Sequence, residues 1–181
     1  MKTSGKRAVF LDRDGVLNPD VGHPHRISDA RLFPDVVPAL LVLQRCNLML
    51  IVATNQSGVN RGLFSWYQLM RFNRALIRLW KTAGVRVSLH DFYICPHIPE
   101  DLCECRKPRG GLFRRAAADR GIDLTASFTI GDSESDIVAG ASVGTTTVLL
   151  DRRDDQHGTS AAFRARGLLE AVAIIMKQAR P

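Results

Sequence analysis

The sequence predicts an α/β fold in which a parallel sheet carries helices on both faces. Short apolar segments alternate with amphipathic helical segments along the chain, an order that is typical of a doubly wound sheet. Several apolar segments are continuous, as expected for strands that are buried on both sides. The chain has 181 residues, of which 45% are hydrophobic, so we predict a single domain over 1–181.

The predicted elements follow one another in a regular order. Strands are predicted at 7–11, 48–53, 91–95, 127–130 and 145–150. Helices are predicted from Pro34, at 66–83 with Ser65 as N-cap, at 112–120 before Gly121, at 135–143, and at 168–178. No segment between these elements is long enough for a large cap domain. The polar stretch 151–166 is predicted to be a mobile connection without an assigned role.

The overall charge does not indicate a macromolecular partner. The net charge is +7, from 25 Lys and Arg against 18 Asp and Glu, but the basic residues are scattered and form no run. We therefore expect no nucleic-acid partner. The polar N-terminus has no signal-peptide segment, and no window approaches ~18 uninterrupted apolar residues, so we expect a cytoplasmic protein without membrane contact. We also expect a monomer.

Polar residues of several types follow the predicted strands. Asp12 and Asp14 follow the first strand, Thr54 follows the second, Cys95 ends the third, and Asp132 follows the fourth. The carboxyl ends of parallel strands meet at one edge of a sheet, where ligands bind in open α/β folds. The sequence therefore predicts that these separate segments converge on one site.

The pair Asp12 and Asp14 has the chemistry of phosphoryl transfer. One carboxylate can attack phosphorus while its neighbour handles the proton, and both suit Mg²⁺, which prefers oxygen ligands. A turn alone would explain Asp14 before Gly15, because Asp-Gly is a common turn dipeptide. It would not explain Asp12, which closes an apolar run.

Three further segments could assist that chemistry, although each has an ordinary alternative. The segment 54–58 could cradle phosphate oxygens, or be a polar turn. Arg106 and Lys107 could neutralise a phosphoryl group, or be two solvated basic residues. Asp132 could complete a magnesium site, and Asp136 could lock its loop or hold the metal indirectly; alternatively, one of them could cap the following helix.

Together these segments resemble, in order, the four motifs of the haloacid dehalogenase superfamily of phosphatases, over residues 7–150. The resemblance implies that Asp12 is the nucleophile and that Asp14 is the general acid and then the general base. It implies that Thr54 and Lys107 stabilise the phosphoryl group. It also implies that Asp12, the backbone carbonyl of Asp14, and Asp132 hold the Mg²⁺.

A second metal is predicted from a compact group of soft ligands. Three cysteines fall within eleven residues together with one histidine: Cys95, His97, Cys103 and Cys105. Three thiolates and one imidazole make a closed tetrahedral set for a structural Zn²⁺, which would hold the loop that presents Arg106 and Lys107. The alternative is a set of buried free cysteines beside a surface histidine.

This loop narrows the resemblance to the group of D,D-heptose 1,7-bisphosphate 7-phosphatases and histidinol-phosphate phosphatases. The segments 54–62 and 18–27 are similar to the heptose branch, which implies removal of the 7-phosphate of D-glycero-D-manno-heptose 1,7-bisphosphate. The implied substrate contacts are Asp20, Val21, Gly22, His23, Asn55, Gln56, Ser57, Arg106 and Ser133. Histidinol phosphate is the alternative substrate; a nucleic-acid end phosphatase and a non-catalytic binding protein are more distant alternatives.

Overall fold

The strands of the protein form one parallel sheet. The computed structural model describes residues 5–152 and 158–178. Within these ranges the sheet has six strands: β1 Ala8–Leu11, β2 Met49–Asn55, β3 Phe92–Cys95, β4 Phe128–Gly131, β5 Thr146–Leu150 and β6 Phe163–Ala165. Their order is β3-β2-β1-β4-β5-β6, and every neighbouring pair is parallel. The predicted doubly wound sheet is therefore confirmed.

The helices connect successive strands across both faces of the sheet. They are α1 Val36–Arg45, α2 Trp66–Thr82, α3 Gly111–Arg120, α4 Glu134–Ala141 and α5 Leu168–Gln178. Short 3₁₀ turns occur at Ile27–Asp29, Leu89–Asp91 and Pro99–Asp101. In the described parts of the chain, no helix combines the length and apolar character that crossing a membrane requires.

The side chains of the central strands alternate between two apolar cores. In β1, Val9 and Leu11 pack into the core beneath α1, α2 and α5, whereas Ala8 and Phe10 pack into the core beneath α3 and α4. This alternation follows from the two-residue period of a strand. Because both faces of the sheet are covered, the strands read as continuous apolar runs in the sequence.

Helix α2 shows how local sequence signals and packing agree. Ser65 caps its N-terminus as predicted: its side chain accepts a hydrogen bond from Gln68 N, and Gln68 accepts one from Ser65 N at 2.8 Å. Leu69, Phe72 and Trp80 then lie on the buried side of the helix. A helix of 17 residues is thus anchored on the sheet beside the loops that follow β1.

Successive strands are added to the sheet in one direction from β1 to β3 and in the opposite direction from β4 to β6. Chain connections run outward from the boundary between β1 and β4 to either side, so a crevice opens at the carboxyl ends of these two neighbours. Leu11 pairs with Ile130 in the register, and Asp12 N donates a hydrogen bond to Ile130 O at 3.0 Å. The residues that follow β1 and β4 are therefore adjacent in space.

The prediction of a mobile connection at 151–166 was wrong where the structure describes that stretch. Phe163–Ala165 is the sixth strand, which pairs with β5 through Val148 and Phe163. Residues 153–157 of the predicted connection lie outside the described residues. A strand of three residues with Arg164 at its centre has too few alternating positions to be detected from its pattern.

Candidate active site

Three carboxylates converge where β1 and β4 end. Asp12 follows β1, Asp132 follows β4, and Asp136 lies in the first turn of α4; oxygen atoms of all three lie within 4.8 Å of one another. We call this set the carboxylate cluster. It brings together two of the predicted magnesium ligands, Asp12 and Asp132, and adds Asp136, for which the sequence predicted a role in locking the loop or in holding the metal indirectly.

Lys107 supplies the positive charge inside the carboxylate cluster. Its amino group lies 2.9 Å from Asp12 Oδ1 and 2.5 Å from Asp136 Oδ1, and donates a hydrogen bond to Ala53 O at 2.7 Å. Only 3% of Lys107 is exposed. Burial alone would lower the pKa of Lys107, but attraction to Asp12 and then to Asp136 raises it above the usual range.

One lysine does not balance the negative charge of the cluster. Burial raises the pKa of Asp12 to about 7; Lys107 opposes this shift, and Asp136, Asp132 and Asp14 add to it. Asp132 is exposed, but the surrounding protein atoms still displace part of the water around its carboxylate and raise its pKa to about 6, with Asp136 as the next cause. Such crowding of carboxylates is expected where a divalent cation completes the charge balance.

The donor set fits magnesium. Asp12 and Asp132 offer hard oxygen ligands at an edge of the sheet, which is what Mg²⁺ prefers. Gly15 permits this approach: it has φ +79°, and a Cβ at this position would lie 1.7 Å from Asp132 Oδ2. Only glycine therefore lets the loop after β1 close onto Asp132.

Asp136 lies at the buried side of the site and is held there by hydrogen bonds. Its Oδ2 accepts hydrogen bonds from Ser133 N at 3.2 Å and from Ser133 Oγ at 2.7 Å, while its Oδ1 faces Lys107. Asp136 is 1% exposed. The hydroxyl of Ser133, a predicted substrate contact, is thus engaged by Asp136 and also lies 2.8 Å from Ser135 Oγ.

The end of β2 and the residues that follow it hold the Lys107 backbone in place. Asn55 Nδ2 donates to Lys107 O and Asn55 Oδ1 accepts from Lys107 N, both at 3.1 Å. Thr54 is 1% exposed and its hydroxyl accepts a hydrogen bond from Gln56 Nε2 at 3.0 Å. Ser57, another predicted substrate contact, is 7% exposed. The predicted phosphate-binding segment therefore lies at the site, although its side chains bond mainly to the protein.

The second carboxylate after β1, that of Asp14, is held by hydrogen bonds from its neighbours. Its oxygens accept hydrogen bonds from Arg13, Asn18 and Gln56 at 2.8 to 2.9 Å. Arg13 is fully buried, at 0% exposure. Sequence reasoning missed Arg13 as a functional candidate, although its place between two acidic residues was a signal that could have been used.

The loop at 20–23 forms an exposed rim beside the carboxylate cluster. Asp20 Oδ1 accepts a hydrogen bond from Gly22 N at 2.9 Å, and Val21 is 49% exposed. Gly22 and His23 adopt positive φ angles of 75° and 56°. These predicted substrate contacts are thus accessible to a ligand.

A cavity of about 600 Å³ connects this rim to the cluster. It is lined by Gly15, Asp20 and Asp132, and on its far side by residues of β5 and the segment that follows, including Arg152 and Arg164. Arg106, the remaining predicted contact, is half-buried on the opposite side, where its Nη1 donates to His97 O at 3.0 Å.

The four soft ligands lie together in the loop after β3. Sγ atoms of Cys95, Cys103 and Cys105 are 3.2 to 3.7 Å apart, and His97 Nδ1 lies 3.2 Å from Cys105 Sγ and 3.6 Å from Cys95 Sγ. We call these four residues the thiolate cluster. A tetrahedral zinc site with the usual bond lengths has donor atoms roughly 3.5 to 3.8 Å apart. Three of the five distances lie in this range and the two at 3.2 Å, both to Cys105 Sγ, are shorter, so the donor set suits zinc after a small shift of Cys105.

The fold and the site define a class of protein. The site has a carboxylate directly after β1, a buried lysine in contact with it, and acidic residues after β4. This arrangement is that of a phosphatase of the haloacid dehalogenase type. In agreement, a profile of the HAD-hydrolase-like family matches residues 104–169.

Comparison with known proteins narrows the class. The chain is 38% identical over 178 residues to the D-glycero-beta-D-manno-heptose-1,7-bisphosphate 7-phosphatase of Haemophilus ducreyi, covering 94% of this chain and 93% of the relative. It is 34% identical over 185 residues to the Escherichia coli protein of the same name, covering 96% of each. The chain belongs to the family of these heptose bisphosphate phosphatases and is a phosphoric monoester hydrolase.

A solved structure resembles the whole chain. The crystal structure of D,D-heptose 1,7-bisphosphate phosphatase from B. bronchiseptica, complexed with magnesium and phosphate, has a TM-score of 0.86 and is 28% identical. The match covers 95% of this chain and 99% of the other. That protein holds magnesium and phosphate on the same fold.

Proposed function

We propose that this enzyme removes the 7-phosphate of D-glycero-beta-D-manno-heptose 1,7-bisphosphate through an aspartyl-phosphate intermediate. One observation carries the chemistry: the Lys107 amino group lies between Asp12 and Asp136, beside Asp132, where β1 and β4 end. The substrate follows from the family. The relatives described above favour the heptose over histidinol phosphate.

In the first step, an Asp12 carboxylate oxygen forms a bond to phosphorus while the bond from phosphorus to the sugar oxygen breaks. Asp14 gives its proton to the departing alkoxide. Lys107 and the Thr54 segment stabilise the charge on the phosphoryl oxygens. A magnesium ion held by Asp12, Asp132 and the backbone carbonyl of Asp14 would supply further positive charge against the repulsion between carboxylate and phosphate.

In the second step, water attacks the phosphorus of the aspartyl phosphate and Asp14 takes a proton from that water. Inorganic phosphate leaves and Asp12 is restored. The same carboxyl group thus serves as acid and then as base, so its orientation matters in both steps.

We propose that the rest of the substrate is held between the exposed loop 20–23 and Arg106. Arg106 presents a guanidinium group suited to a second phosphate. The backbone groups of 55–57 and the region of Ser133 complete the proposed contacts. The accessible rim formed by Asp20 to His23 supports this assignment.

We also propose that the thiolate cluster binds one structural Zn²⁺. Its four donors leave no position open for a substrate, so the metal would hold the loop that carries Arg106 and Lys107. Burial raises the pKa of the Cys95 thiol, and a bound cation would favour its thiolate form. Unpaired cysteines of this kind suit a reducing compartment, so we propose a cytoplasmic location.

A monomer is the simplest state for this architecture, since both faces of the sheet are covered by helices of the same chain. Light scattering coupled to size exclusion would test it. The proposed substrate is a small sugar phosphate, and we expect no nucleic-acid partner.

The test of the substrate is phosphate release with Mg²⁺ from both anomers of the heptose bisphosphate and from histidinol phosphate, with Asp12→Asn protein as background. We expect kcat/KM to favour a heptose anomer by ~100-fold or more, about 2.7 kcal/mol of discrimination. A preference for histidinol phosphate would overturn the substrate but keep the chemistry. No release from a broad panel of phosphoesters would overturn both.

A further inference from the structure

The fully buried Arg13 is paired with the carboxyl group that the proposed function uses for proton transfer. Its Nε donates to Asp14 Oδ1 and its Nη2 donates to Asp14 Oδ2, each at 2.9 Å. This two-point contact fixes both the position and the plane of the carboxyl group, which a single hydrogen bond would not do.

The guanidinium group of Arg13 is itself anchored from several elements. Nη1 donates to Asn73 Oδ1 of α2 at 3.0 Å, and Nη2 donates to Pro24 O in the loop after β1 at 3.0 Å. The guanidinium also lies over the Phe72 ring, 4.7 Å from its centroid. Contacts with α2 therefore fix the guanidinium group of Arg13, which in turn fixes the Asp14 carboxyl group.

Gln56 completes the arrangement from the end of β2. Its Nε2 donates to Asp14 Oδ2 at 2.8 Å and to Thr54 Oγ1 at 3.0 Å, and its Oε1 accepts from Arg13 Nη2 at 2.9 Å. Gln56 is 1% exposed. Both of its N–H groups are used inside the protein, so a side-chain contact with the substrate would require this network to open.

We propose that Arg13 and Gln56 are positioning residues for Asp14, which hold its carboxyl group beside the leaving oxygen. Because the two oxygens of Asp14 accept four hydrogen bonds, one of these bonds must break when Asp14 takes up or gives a proton. The proposal rests on the proposed function, which assigns the acid role to Asp14. It replaces the predicted contact between the Gln56 side chain and the substrate. If Arg13 and Gln56 had only a structural role, their hydrogen bonds would affect the stability of the protein and not the proton transfer by Asp14.

The two roles differ in how the loss depends on the leaving group. A sugar alkoxide is a poor leaving group and needs a proton, whereas 4-nitrophenolate leaves readily without one. Misplacing Asp14 should therefore slow the first step for alkyl phosphates much more than for 4-nitrophenyl phosphate. Damage to folding or to metal binding would slow both substrates alike.

The experiment compares kcat/KM for an alkyl phosphate substrate and for 4-nitrophenyl phosphate in Gln56→Met and Arg13→Lys. We expect roughly ten- to hundredfold losses of kcat/KM on the alkyl phosphate and less than about threefold losses on the aryl phosphate, because a misplaced acid should lose only part of the roughly 10²- to 10⁴-fold that general acid catalysis contributes. Arg13→Lys keeps the buried positive charge but cannot make the two-point contact with Asp14. Because the charge is kept, this variant is expected to fold.

Matched controls carry the same chemical changes away from the site. Gln44→Met removes the amide that accepts a hydrogen bond from Arg86 N at 2.6 Å, ahead of β3. Arg120→Lys alters an arginine that pairs with Asp91 at 3.0 Å. Neither control should change the ratio of the two kcat/KM values.

Asp14→Asn separates failure of this inference from failure of the proposed function. Suppose that Asp14→Asn lowers kcat/KM selectively for the alkyl phosphate, whereas Gln56→Met and Arg13→Lys lower it equally for both substrates. The positioning role is then overturned. If Asp14→Asn itself shows no selectivity, the acid role of Asp14 is overturned, and the positioning role with it. Because any alkyl phosphate that is turned over can be used, the result does not depend on the heptose being the substrate.

Discussion

The carboxylate cluster and the thiolate cluster both lie at the carboxyl ends of strands in one sheet, but their charges are balanced differently. In the carboxylate cluster, Asp12 and Asp132 have raised pKa values even though Lys107 lies among them. In the thiolate cluster, four soft donors surround one point at distances that suit a single ion. The first site keeps unbalanced charge beside an open cavity, whereas the second is closed.

With the roles proposed above, this difference would separate a reactive site from a structural one. Unbalanced negative charge near a cavity attracts a metal and then a substrate that brings its own charge, which is what phosphoryl transfer needs. A closed tetrahedral site has no room for a reacting group, so its effect is on the shape of its loop. Substitutions in the carboxylate cluster should therefore affect rate, and also stability where a buried charge loses its partner, whereas substitutions in the thiolate cluster should affect stability.

The largest expected effect is at Asp12. In Asp12→Asn, kcat should fall by at least about 10⁴-fold because the nucleophile is lost. The melting temperature at pH 8 should stay the same or rise, since an ionised and crowded carboxylate is removed. Steady-state kinetics and thermal melts test both parts. Full turnover by this variant would disprove the covalent mechanism.

Lys107→Met should combine a loss of rate with a loss of stability of about 3–5 kcal/mol, because two buried carboxylates lose their cation. Urea unfolding of the metal-free protein measures the stability. The control is Arg115→Met, which removes an exposed ion pair with Asp119 at 3.9 Å and should cost less than about 0.5 kcal/mol. Equal effects in the two variants would contradict the buried-charge account.

Cys105→Ser should abolish bound zinc and lower the melting temperature by about 5–10 °C, which corresponds to a loss of roughly 2–4 kcal/mol in a chain of this size. Metal analysis and calorimetry are the measurements. Cys46→Ser is the matched control, since Cys46 follows α1 and lies outside the thiolate cluster. Absence of zinc from the unmodified protein, purified without chelator, would remove the basis of this assignment.

The smallest effect concerns pH. In the metal-free protein, the pKa values of Asp12 and Asp132 are about 7 and about 6, so Mg²⁺ must displace protons as the pH falls. Its apparent affinity should fall by up to ~10-fold per pH unit between pH 7 and 6, where one proton is displaced, and by up to ~100-fold per pH unit below that range, where two are displaced. Calorimetry in buffers of different ionisation enthalpy measures the protons released. Magnesium affinity that is constant between pH 5.5 and 7.5 would contradict the raised pKa values.

The same pKa values set the sign of the pH dependence of stability without metal. Both groups bind protons more tightly in the folded state than in the unfolded state, where the ordinary value is near 3.8. Their contribution is therefore fully present below about pH 3.8 and is lost as pH rises through 6 and 7. Thermal melts in chelator should show this decline, and Mg²⁺ should reverse it at pH 8.

Much of the fold was predictable because its signals are local. Continuous apolar runs marked the first five strands, and capping residues such as Ser65 and Gly121 marked helix ends within one or two residues. Strand β6 was missed because it is short and depends on pairing with β5, which is a contact between distant parts of the chain.

The sequence predicted which residues belong to the candidate site better than it predicted the contacts that they make. Residue type and position at strand ends indicated Asp12, Lys107 and Asp132. The same reasoning left Arg13 out, because an arginine in a loop is usually solvated. Its burial depends on Asn73, which lies 60 positions further along the chain.

The sequence by itself determined the element order, the donor types and the edge of the sheet at which they meet, because these depend on periodicity and on positions next to strand ends. Only the tertiary structure decided which side chains turn inward. It placed the Gln56 side chain against Asp14 and Arg13 rather than toward a ligand, and set Lys107 between Asp12 and Asp136. The physical reason is that a buried polar group must find its partners in space, and those partners come from strands and helices that are far apart in the chain.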